Sequence, residues 1–155
     1  MKIKWIELII LKVNIINMSA TNMNMILDGF ITSSNYEQLE KYILESDHNT
    51  RQDININIFS KVAQNDELLK FLLKISTDSD LKEFNYVKDE FFANVMISSC
   101  ATSDDVVWMF KKMKEYELEP ENVLKASGEM FRYYEPELEP FMLALMNMLK
   151  PIYYK

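Results

Sequence analysis

Two glycines in 155 residues constrain this chain more than any motif in it. Primed hairpin turns and phosphate-cradling loops need residues at positive φ, which glycine adopts without steric cost. Four prolines complete a composition that excludes collagen-like and Gly/Pro-rich disordered classes. With 48% hydrophobic and 26% charged residues, the chain has apolar surface for one compact core, and an all-α fold is the expectation.

Seventeen basic against twenty-four acidic side chains give a formal net charge of −7. Binding to a phosphate backbone works against that mean field, so no nucleic-acid partner is expected. Cys100 is the one cysteine and His48 the one histidine. No internal disulfide and no Cys/His zinc set can be assembled from them, so neither metal nor cofactor is expected and a reducing, cytoplasmic setting follows. A catalytic thiol at Cys100 needs a histidine to activate it, and His48 stands in the polar run SDHNTRQD with no nucleophile beside it. Cys100, in SSCATS, therefore reads as a packing residue and His48 as an exposed loop residue. Asp78 with Asp80, and Asp104 with Asp105, lack the alternating ligands and distal Glu of a calcium loop. The second pair reads as a helix cap. With no nucleophile–base pair, metal set or phosphate loop, the expectation is a protein that is not an enzyme.

Residues 1–24 read as a leader ahead of a single domain over residues 25–155. Lys2 and Lys4 precede an apolar stretch that Glu7, Lys12 and Asn14 interrupt. Its longest unbroken apolar run, 8–11, is far short of the roughly 20 residues that span a bilayer, so no membrane partner is expected. Residues 1–17 fit a weakly amphipathic helix or strand packed on the domain, and Met18 is an alternative start to Met1.

Apolar residues at three- and four-residue spacing predict helices over 35–44, 66–75, 89–101, 104–116, 121–133 and 137–149. Ser34 with Glu37, and Thr102 with Asp105, have the spacing of a capping box. Pro120 and Pro136 fall at first-turn positions, where a missing N–H costs nothing. Pro140 implies an irregular first turn or a later start for the last helix. One apolar triplet recurs: Leu39/Tyr42/Ile43, Leu68/Phe71/Leu72, Val106/Met109/Phe110 and Leu138/Phe141/Met142, at intervals of 29, 38 and 32 residues. Shorter apolar helical pieces precede each copy, at 25–33, 56–64, 91–100 and 123–133. Four tandem helical hairpins, sharing a core by stacking, are the predicted architecture. A compact helical bundle is the alternative.

The stretch SSNYEQLEKYILESDHNTRQDININIFSKVAQNDELLKFLLKIS, residues 33–76, resembles two degenerate ankyrin repeats, with NDELLKFLLK at the second-helix pattern. The family's Thr-Pro-Leu-His opening is absent, and Asn35 and Asn65 stand where its left-handed glycine turns would fall. That resemblance implies a non-catalytic protein–protein interaction module whose partner contacts the connectors before each first helix, here including Asp53, Asn55 and Asn57. The stretch NVMISSCATSDDVVWMFKKMKEYELEPE, residues 94–121, is similar to one pentatricopeptide repeat, which implies single-stranded RNA binding. In size, acidity, low Gly content and Ile/Asn/Lys/Asp bias the chain also resembles virus-encoded Bcl-2-like proteins, which implies a bundle taking a partner helix in a host-modulating role.

Eight Glu stand against Lys125 and Arg132 between residues 115 and 139. They read as a solvated face or, with Glu117 and Glu119, as a docking face for a basic protein. Met130, Met142, Met146 and Met148, with Phe131, Phe141, Tyr133 and Tyr134, read as core or, if exposed, as an adaptable helix-binding surface.

Overall fold

A computed structural model of the chain describes residues 22–134 together with Asn147 and Pro151. The leader as far as residue 21, the helix predicted at 137–149 with Pro136 and Pro140, and the fourth apolar triplet lie outside the described residues. So do the Met and aromatic side chains from Met130 onward and the acidic side chains from Glu129 onward.

Among the described residues there are seven α-helices and no strand: α1 (22–32), α2 (Tyr36–Glu45), α3 (His48–Ile58), α4 (Asp66–Ile75), α5 (Lys88–Ser99), α6 (Ser103–Glu115) and α7 (Pro120–Tyr134). Two 3-10 turns, Phe59–Lys61 and Lys82–Phe84, lie between them. The all-α expectation holds. Helix α4 coincides with its predicted span, and Pro120 opens α7 as its position implied. Helix α3 departs from prediction: its sequence HNTRQDININI is polar, and His48 is an exposed first-turn residue where a loop was expected.

The helix ends explain how the chain manages without glycine turns. Positive φ is carried by Ser34 (54°), Gln64 (62°) and Glu117 (57°), and by no described glycine. After α1, the Ser34 N–H donates to the Ile31 carbonyl at 3.1 Å and the Asn35 N–H to the Phe30 carbonyl at 2.9 Å. After α6, the Glu117 N–H reaches Lys114 at 3.1 Å and the Leu118 N–H reaches Met113 at 2.9 Å. Both are Schellman closures, which pair carbonyls the helix leaves open. Asn35 and Asn65, assigned to left-handed turns by the ankyrin resemblance, are instead the N-caps of α2 and α4, accepting from the N–H groups of Gln38 and Leu68. The Ser34–Glu37 capping box is therefore displaced by one residue to Asn35, whereas the Thr102–Asp105 box is complete. A non-glycine residue in the left-handed region costs about 1–2 kcal/mol. Glu117→Gly is expected to raise stability by about 1 kcal/mol, the glycine's own entropy cost taking back part of the gain, as read from a denaturant midpoint shift with an unchanged slope.

The chain divides into two compact units, with the boundary in sequence between Asn57 and Ile58. In the first, α1 and α2 meet through the Phe30 and Tyr42 rings, 5.9 Å between centroids. The Arg51 guanidinium of α3 donates to the carbonyls of Ile43 (3.0 Å) and Leu44 (2.7 Å), closing the C-terminus of α2. Its buried apolar side chains are Leu27, Leu39, Ile43 and Ile54.

The second unit is built around α5. Phe91, Phe92, Ala93, Val95 and Met96 are all buried, and at 100° per residue they cover an arc of roughly 200°. A helix apolar over so much of its circumference is a central one. It packs on α7, on the Phe59–Lys61 turn and on α6. A chain of tilted and edge-on ring contacts runs through it, Tyr86–Phe59–Phe91–Phe92–Tyr116, with centroids 5.5–5.7 Å apart. Leu81 and Phe84, both buried, anchor the connection between α4 and α5.

This packing overturns the tandem-hairpin stack and the ankyrin-like fold. Helix α5 packs more extensively on α7 than on α6, the partner its hairpin would require. The connections do not repeat either: residues 46–47 join α2 to α3, whereas residues 76–87, with a 3-10 turn inside, join α4 to α5. The compact bundle, the alternative architecture, describes the second unit. The described triplets misled for a physical reason. Leu39/Ile43, Leu68/Phe71/Leu72 and Val106/Met109/Phe110 are indeed buried faces of α2, α4 and α6, but +3/+4 spacing marks the buried face of any amphipathic helix.

Candidate interaction surface

The polar groups that chemistry would require are occupied in the scaffold. The Asp105 carboxylate accepts from the Gln64 side chain at 2.6 Å and from the N–H groups of Ala101 (3.0 Å) and Thr102 (3.1 Å). Those bonds, Gln64's foremost, hold its pKa below the ordinary carboxylate value. Asp66 accepts from the Trp108 indole at 2.8 Å and pairs with Lys112 at 3.1 Å, which likewise lowers its pKa. Burial works against the Lys112 ammonium, but Asp66 and Glu115 outweigh it and raise its pKa. Together these groups tie α4 to α6 and fix the turn before each.

Lowered carboxyl pKa values mean that the unfolded chain takes up protons first as pH falls. The stability from Asp66 and Asp105 is therefore present above the ordinary carboxylate pKa and is lost as pH falls through their lowered folded values. The second unit is expected to lose stability progressively below about pH 4, and Asp105→Asn to flatten that acid limb in melts taken from pH 7 to pH 2.

Cys100 is half-buried and its thiol donates to the Asp105 carbonyl at 3.8 Å. Burial pushes its pKa up to about 11, leaving almost no thiolate at neutral pH. Asp78 closes a local turn by accepting from the Asp80 N–H at 2.9 Å. Among the described residues no group of His, Cys, Asp and Glu is placed to hold a metal ion. No described helix is long and apolar enough to cross a membrane.

The structure scatters the residues that sequence reading assigned to a partner. Asp53, Asn55 and Asn57 lie inside α3, not in a connector. Asn57 donates to the Asp53 carbonyl at 2.7 Å, so those two positions share a side of the helix, while Asn55 lies about 160–200° round from both. Asp53 is exposed and the two asparagines are half-buried. Glu117 and Glu119 are exposed in the connection between α6 and α7. The Glu119 carbonyl accepts from Asn122 and Val123 at the start of α7, so the backbone of both glutamates serves helix ends.

A different surface stands out, one that sequence reading missed. Of the five large apolar side chains exposed among the described residues, Met25, Ile26, Leu44 and Ile56 belong to the first unit. Met25 is 67% exposed and Ile56 72%. On α1, Leu27 faces inward with the half-buried Met23, Phe30 and Ile31. Met25 and Gly29 lie about 160° round the helix from Leu27, with Ile26 about 100° round beside them. Nothing lies within 4 Å of where a Gly29 Cβ would stand. Helix α1 thus exposes Met25, Ile26 and Gly29 outside its inward face, alongside the polar Asn22, Asp28 and Thr32. The signal was present in NMNMILDGFIT, where apolar residues fall at 23, 25, 26, 27, 30 and 31, too many for one face.

Comparison with protein-family models, with curated proteins and with solved structures found no match. The ankyrin and pentatricopeptide resemblances receive no support from them.

Proposed function

We propose that this protein is a non-catalytic helical bundle that binds a helix of another protein on the face of α1 that exposes Met25 and Ile26. The observation that carries this reading is the exposed apolar set Met25 and Ile26, continued across Gly29, in a unit whose described residues bury four apolar side chains. Large exposed apolar surface on a folded domain marks an interaction site more often than it is tolerated without use. A helix laid along such a face supplies anchors at i, i+3, i+4 and i+7. Within the second unit, the central position of α5 supports a bundle over a repeat stack. Asp28, exposed on α1, favours a basic residue on the polar face of the incoming helix, since unlike charges steer encounter.

Selection of helical peptides from a displayed random library tests this. The expected winners are amphipathic and basic, and Met25→Glu with Ile26→Glu weakens their binding by at least about tenfold, the loss of one buried apolar anchor or more. Winners without helical periodicity, or binding unchanged in the double variant, contradict the reading.

A further inference from the structure

We draw no further inference here: the strongest candidate, the outward face of α1 that exposes Met25 and Ile26, already carries the function proposed above, and nothing in the structure shows what covers it.

Discussion

Phe92→Ala is expected to unfold the second unit or bring it to the edge of unfolding at 25 °C. The ring is fully buried on α5, with Phe91 at 5.7 Å and Tyr116 at 5.6 Å. Truncating a buried Phe costs about 3–5 kcal/mol in transfer and cavity terms. Each aromatic pair adds about 0.5–1.5 kcal/mol beyond area, against the 5–15 kcal/mol that holds a typical domain together. The position of α5 makes the loss hard to absorb. A surface helix can tilt to close a cavity on its one packed face, whereas α5 is held by α6, α7 and the Phe59–Lys61 turn. A urea titration followed by far-ultraviolet circular dichroism is expected to show the midpoint falling by more than half, with Phe92→Leu intermediate.

Ile43→Ala is expected to open the first unit selectively. Ile43 is fully buried on α2 and, among the described residues of that unit, is one of four buried apolar side chains, the others being Leu27, Leu39 and Ile54. An Ile→Ala change costs about 2–5 kcal/mol, comparable with the roughly 3–5 kcal/mol that a core of a small unit supplies in total. Its carbonyl also receives the Arg51 bond at 3.0 Å, so loosening α2 loosens the tie to α3. Amides of α2 and α3 are expected to exchange at rates near those of an open chain, with α5 amides still protected. Protection of α2 equal to that in the natural sequence runs against a thin core in the first unit.

Local structure was partly legible from short patterns, although the box read at Ser34 and Glu37 fell one residue later, at Asn35. Thr102 with Asp105 gave a complete cap because hydroxyl and carboxylate each satisfy an amide with no helical partner, a rule that needs no tertiary context. Pro120 marked the start of α7 for the same kind of reason. Architecture was not legible, because Leu68/Phe71/Leu72 and Val106/Met109/Phe110 record only that each helix has a buried face and not which helix covers it. Helix α3 escaped because its burial rests on two residues four apart, Ile54 and Ile58, in a stretch whose other apolar residue, Ile56, is exposed. The left-handed turns escaped as well: Ser34, Gln64 and Glu117 adopt a conformation whose usual sequence mark is glycine. The candidate surface was visible only as an excess, more apolar residues on α1 than one face can use, and an excess has meaning only once the inward face is known.

The central claim is that the second unit is a bundle closed around α5 and not a row of independently stacked hairpins. Native-state hydrogen exchange across a series of low urea concentrations tests it most directly. For a central helix, the amides of Phe92–Met96 exchange most slowly in the unit, and only through the opening that unfolds all of it, with the full urea dependence of global unfolding. If α5 amides instead exchange no more slowly than those of α4 and α6, each pair opening with its own small urea dependence as in a repeat array, a bundle closed around α5 is contradicted.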